Sequence, residues 1–191
     1  IAPTIAAGLR KRWGQGNMRP LNILICENML NADAYLRQLV SSCLDREEQI
    51  LLDEKVGFVE ASIGRMVPSP APDTASDNPL EISVEEYGEL PVDQDGFKGE
   101  IPDIRNMIPF SPFDFYIKRK IYMHNMGHAL TAYLGFLRKH ALICDAIEDP
   151  AIHSAVANAY GDISRAMAIE YHIPMAQLDA YWKDLMERFG N

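Results

Sequence analysis

Leu21-Asn22-Ile23-Leu24-Ile25-Cys26 is a short, nearly continuous apolar run with helical patterns on either side. A run that is apolar on both faces reads as a strand buried inside a parallel sheet. Ahead of it, residues 4–12 (TIAAGLRKR) read as the end of a helix that Gly14, Gly16 and Pro20 terminate. Behind it, Asn31 or Asp33 can cap a second helix. Its apolar residues Leu36, Leu39, Val40, Cys43 and Leu44 are spaced as on one helical face. Val56–Ser62 and Arg65–Val67 read as further strand, broken at Gly64. This alternation of helix and strand predicts an α/β first half.

Composition then changes. Eight of the twelve prolines lie between Pro68 and Pro112, and residues 68–79 (PSPAPDTASDNP) cannot hold regular structure. Leu80, Ile82 and Val84 alternate with Glu81, Ser83 and Glu85, which predicts a strand with one wet face. From Ser111 onward the pattern is helical. Ser111-Pro112-Phe113-Asp114 supplies a capping serine, a proline at the first helical position and an acid, and predicts a long helix to about His140. Asp149-Pro150 and Pro174 start two more helices. The fold class is therefore α/β followed by all-α, with 1–105 as the first domain and its strand-containing connector and 106–191 as the helical domain.

The 191 residues carry a formal charge of −9, with 48% hydrophobic and 24% charged residues. That balance supports a sizeable core and disfavours nucleic acid as a partner. No apolar run reaches the roughly 20 residues of a membrane helix. Cys26, Cys43 and Cys144 are odd in number and show no zinc spacing, which fits a reduced, cytoplasmic protein. Gly14-x-Gly16 follows a helix rather than a strand, so it is not a dinucleotide fingerprint.

The residues richest in chemistry lie in KIYMHNMGHALTAYLG, which begins at Lys120. On an ideal α-helix Asn125 falls about 140° from Lys120, and His128 about 80°, over roughly 12 Å of axis. An amine, an amide and an imidazole facing one cleft suit proton abstraction from an alcohol. Burial by Ile121, Met123 and Met126 would bring the lysine toward a base's pKa. The alternative is a solvated basic face, Lys118-Arg119-Lys120, followed by ordinary polar helix residues. His124 and His128 are four apart, but no acid sits beside the first and no third ligand is signalled, so no metal is expected. Asn28 follows the best strand at its carboxyl end, where ligands of parallel sheets bind; its other reading is a turn residue bonding its own backbone. Glu27 and Arg65 can form a structural ion pair, and Cys26 reads as a buried small hydrophobe.

Five blocks in order, IAPTIAAGLRKR, PLNILICENM, EKVGFVEASIGRMVP, DNPLEISVE and KIYMHNMGHALTAYLG, resemble the mannitol-1-phosphate 5-dehydrogenase branch of the polyol-specific long-chain dehydrogenases. The spacing K-x-x-x-x-N-x-x-H is matched at Lys120, Asn125 and His128, and the tail Gly127 to Gly135 matches too. The resemblance implies part of a Rossmann-type cofactor domain, a helical substrate domain, NAD as cofactor, no metal and a small polyol phosphate as substrate. It implies Lys120 as general base or acid, Asn125 polarising the substrate oxygen with help from Asn28, and His128 positioning the substrate or the lysine. The reaction implied is D-mannitol 1-phosphate plus NAD to D-fructose 6-phosphate plus NADH. A mannitol 2-dehydrogenase, a hexuronate reductase, or a non-catalytic binding module on the same scaffold are the alternatives.

Gly64 stands where the family usually has Asp ahead of Arg-x-Val-Pro. The family's glycine-rich pyrophosphate loop is expected ahead of Ile1, and its basic sugar-phosphate segment after Asn191. On that reading the chain is a central piece, expected to bind NAD poorly and turn over little by itself.

Overall fold

The computed structural model describes residues 1–27, 29–67, 78 and 80–190. Two compact units share the chain, Ile1–Phe113 and Asp114–Asn191.

In the first unit, helix α1 (Ala2–Gly14) presents Ala2, Ala6, Leu9 and Trp13 as one buried stripe. Strand β1 (Leu21–Ile25) follows, then α2 (Ala32–Ser41), α3 (Arg46–Lys55) and β2 (Val56–Glu60). The two strands pair in parallel, Leu21 opposite Val56 through Ile25 opposite Glu60. Ile25, Val40, Leu52, Val56 and Phe58 join the α1 stripe in a single core. Helix α3 was not expected from periodicity, because REEQILLDEK is mostly polar. A capping box starts it: Asp45 accepts from the Glu48 amide, and Glu48 accepts from the Asp45 amide. Glu48 also pairs with Arg10 of α1 at 2.7 Å.

Strands β3 (Leu90–Asp93) and β4 (Met107–Phe110) form a second parallel pair. An antiparallel bridge from Ala61 to Val92 ties β3 to the end of β2. Five expectations need correction here. Arg65–Val67 is not a strand: the Met66 amide donates to the Glu85 carboxylate and Arg65 donates to the Tyr87 carbonyl, so neither serves a ladder or pairs with Glu27. Leu80, Ile82 and Val84 form no strand either and are largely exposed, since alternation makes a strand only where a neighbouring edge completes its hydrogen bonds. Cys26 is exposed, because β1 ends at Ile25. Ser111 caps no helix: its hydroxyl bonds Asp95, and the Ser111–Pro112 peptide is cis.

The second unit is helical throughout. Asp114–Leu137 is one continuous helix in three parts: α4 (Asp114–Arg119), a π-helical turn (Lys120–Asn125) and α5 (Met126–Leu137). Next come α6 (Ile143–Glu148), α7 (Pro150–Tyr171) and α8 (Met175–Phe189). Asp149 caps α7 by accepting from the Ala151 amide at 2.9 Å. Ile152, Val156, Tyr160 and Met167 of α7 and Leu178, Leu185, Met186 and Phe189 of α8 are its main buried residues. No helix among the described residues is long and apolar enough to cross a membrane.

Candidate active site

The π turn decides how Lys120, Asn125 and His128 sit. Through this turn the ladder runs i→i+5; the Met126 amide, for example, donates to the Ile121 carbonyl. The wider turn returns residues five apart to one face, as an α-helix does for residues four apart. The 140° offset expected of an ideal α-helix is thereby reduced, and Asn125 lies closer to the face of Lys120 than α geometry would put it. His128 lies three residues on, where regular α geometry resumes, and so continues the same face.

The basic run Lys118-Arg119-Lys120 is not a solvated face. Lys118 bonds Glu170 at 2.6 Å and Asp114 at 3.3 Å, and lies 5.2 Å from the centre of the Tyr171 ring. Arg119 is only 7% exposed. Its guanidinium lies 3.9 Å from the ring centre of Tyr181, 4.5 Å from Tyr116 and 5.6 Å from Phe115. Lys120 is half-buried, and desolvation lowers its pKa below the usual lysine value. The direction is the one a general base requires.

Within and beyond the π turn the helix is held from two sides. The rings of His124 and His128 approach Phe189 of α8, with centroids 6.1 and 5.3 Å away. His128 itself is exposed. Between Asn125 and His128, Gly127 packs against Tyr160 of α7: a Cβ there would fall 1.7 Å from the Tyr160 hydroxyl oxygen. Thr131, fully buried, donates to the Gly127 carbonyl at 2.8 Å.

In the first unit, the carboxyl ends of β1 and β2 lie side by side, Ile25 against Glu60. Cys26 and Glu27 are exposed just beyond β1. Asn28, the fourth residue singled out from the sequence, lies outside the described residues. Glu60 accepts from the Ala32 amide at 2.8 Å and so caps α2 in place of Asn31, whose side chain makes no cap bond. Burial raises the pKa of Glu60. Gly64 faces the Tyr87 ring, 3.1 Å from where its Cβ would be, so the space an aspartate would fill is taken by Tyr87.

Comparison with known proteins follows the two halves of the chain. Residues 1–106 match the mannitol dehydrogenase Rossmann domain, and residues 113–191 the mannitol dehydrogenase C-terminal domain. The chain belongs to the mannitol dehydrogenase family. Among solved structures, a Pseudomonas fluorescens mannitol 2-dehydrogenase in ternary complex with NAD and D-mannitol superposes with a TM-score of 0.73 at 21% identity. The match takes in 98% of this chain and 40% of that one, so the chain spans well under half the length of that enzyme. A Rossmann-type N-terminal part and a helical C-terminal part of the mannitol dehydrogenase fold are thus present here.

Two features of this family member were not foreseen. One is the enclosure of Arg119, which its position inside a basic run concealed. Phe115 and Tyr116, four and three residues earlier, were the available signal. The other is the Gly127–Tyr160 approach, which needs the partner helix to be known.

Proposed function

We propose that this chain carries the proton-transfer residues of an NAD-dependent polyol dehydrogenase that interconverts D-mannitol 1-phosphate and D-fructose 6-phosphate. Lys120 is the general base in alcohol oxidation and the general acid in carbonyl reduction. Asn125 donates an amide N–H to the substrate oxygen as it becomes a carbonyl. His128 holds a neighbouring hydroxyl of the substrate. Asn28 is assigned as a second donor to the reacting oxygen. The observation that carries this reading is the half-buried Lys120 amine, its pKa lowered by desolvation, on the same π turn as Asn125.

The carboxyl edge of β1 and β2 is where the cofactor would lie. One group there fits the sugar end of a dinucleotide: the exposed Glu27 carboxylate can accept from ribose hydroxyls. Bound there, NAD supplies the hydride acceptor for the carbinol carbon. The protein's own part is to take the hydroxyl proton at Lys120 Nζ, to hold the oxygen at Asn125, and to keep water from the amine with Ile121 and Met123. Met123 is fully buried in the same turn. A second reading, oxidation of unphosphorylated mannitol, draws on the D-mannitol held by the Pseudomonas enzyme.

Lys120→Ala tests the mechanism. Losing the base should cut turnover by on the order of 10² to 10⁴. In the intact protein, kcat/KM for oxidation should rise with pH up to the lowered Lys120 pKa, and carbonyl reduction should fall across the same range. The variant should lose that limb. Unchanged turnover and an unchanged profile would remove Lys120 from the role. Parallel assays with mannitol 1-phosphate and mannitol decide between the substrates.

A further inference from the structure

Arg119 is a buried cation without an anion. Three rings cover it, yet among the described residues no carboxylate or carbonyl accepts a hydrogen bond from its guanidinium. The acids that bind the neighbouring Lys118 are engaged there: Asp114 and Glu170 both pair with it, and Asp114 also accepts from the Tyr171 hydroxyl at 2.6 Å. Nor are its nitrogens sealed in. The fully enclosed, unbonded side-chain polar atoms among the described residues include none of Arg119. Rings stacked on a guanidinium cover its faces and leave the N–H donors pointing outward along its edge. The nitrogens of this otherwise buried residue thus keep some access to solvent, and a guanidinium offers its N–H donors as a fork matched to two oxygens of a phosphate or carboxylate.

We propose that Arg119 is an anion subsite that takes the charged end of an open-chain polyol derivative, a phosphate monoester or a carboxylate. The proposal rests on the reading of Lys120 as the base, because it deepens the substrate assignment of that site. Arg119 and Lys120 are consecutive, with Cα atoms about 3.8 Å apart. An extended hexitol chain readily spans from an oxyanion on one side chain to a hydroxyl on the other. A guanidinium already desolvated and immobilised loses little on meeting its ligand, so the subsite is preorganised. It would favour a polyol phosphate or a hexuronate over free mannitol.

The test uses the intact protein with four probes: inorganic phosphate, mannitol 1-phosphate, a hexuronate and free mannitol, with affinities read by calorimetry. Arg119→Met keeps an unbranched chain among the rings, where sulfur packs well. Arg119→Lys keeps the charge and loses the fork. Thermal melting confirms that each variant folds. The expected result is phosphate and mannitol 1-phosphate binding that weakens roughly ten- to a hundredfold in Arg119→Met and less in Arg119→Lys. Free mannitol should be unaffected. The hexuronate arm shows whether a carboxylate serves as well as a phosphate. Equal binding of the anions by wild type and Arg119→Met, or no anion binding by wild type, overturns the subsite and makes Arg119 a packing cation. The two assignments fail separately. Arg119-dependent anion binding without any NAD-dependent oxidation would remove the dehydrogenase reading alone. Oxidation with the same KM for mannitol 1-phosphate in both proteins would remove the subsite alone.

Discussion

Gly127 has no room for a side chain. The Tyr160 hydroxyl oxygen occupies the place of its Cβ, and the Tyr160 ring stacks on Trp182 at 5.8 Å, so the tyrosine cannot easily retreat. The hydroxyl is fully buried and finds no hydrogen-bond partner among the described residues. Gly127→Ala should therefore cost about 1–3 kcal/mol by overpacking. Tyr160→Phe removes a group that gains nothing from burial, so it should be neutral or slightly stabilising, and it should relieve only part of the Gly127→Ala defect, because the ring Cζ stays 2.5 Å from the added Cβ. Chemical denaturation of the two single variants and the double variant measures this. Additive losses would mean that the hydroxyl is not the obstacle. Gly57 is a comparable case in the first unit: its Cβ would meet Asn22 Oδ1 at 2.1 Å, and that oxygen accepts from the Lys98 amide at 2.8 Å.

Among the elements, the π turn matters most for chemistry and was least legible. K-x-x-x-x-N-x-x-H could be read from spacing, but the face on which those residues meet could not, because nothing in KIYMHN announces an i→i+5 ladder. A π turn is an α-helix carrying one extra residue. Deleting the exposed Tyr122 should restore continuous α-helix, leave Lys120 and Asn125 four apart on one face, and hold or raise the melting temperature. Loss of folding in that deletion would show that the wide turn is needed by the packing of the unit rather than by the alignment. The other elements divide by how local their signals are. α1, β1, α7 and α8 were legible because caps, breakers and apolar periodicity agree with one another. α3 carried its capping box, Asp45 and Glu48, yet showed almost no apolar face. β3 and β4 are four residues long and each contains a proline, Pro91 and Pro109, which weakens the strand signal in the sequence. Arg119 looked like part of a charged surface, since the ring closest to it, Tyr181, comes from the last helix.

Across the whole molecule, carboxylates set the response to acid, and the two units differ in which kind they hold. In the first, the hydrogen bond from Arg10 lowers the pKa of Glu48, whereas burial raises Glu60 and Asp93. In the second, the resolved shifts of carboxylates are both downward. Burial pushes Asp114 up, but the Tyr171 hydroxyl and Lys118 outweigh it. Burial likewise opposes the Asp149 charge, and the Ala151 amide, Arg138 and His140 together still bring its pKa to about 2. A carboxyl lowered on folding adds stability that is present above its unfolded pKa, near 3.9, and is lost as pH falls through the folded value. A raised carboxyl acts in the opposite sense: it favours the folded state at low pH and loses that effect as pH rises. The helical unit should therefore weaken first between about pH 4 and pH 2, while Glu60 and Asp93 partly protect the first unit. The two tryptophans separate the signals, since Trp13 lies in the first unit and Trp182 in the second. In Trp13→Phe the remaining fluorescence reports the helical unit, and in Trp182→Phe it reports the other. The Trp182 signal should change at the higher pH. Asp149→Asn should lower the stability of the helical unit at neutral pH and flatten its decline between pH 4 and 2, because the charge that titrates there is gone. Coincident acid transitions at both tryptophans, with no effect of Asp149→Asn on either, would refute this division of acid sensitivity.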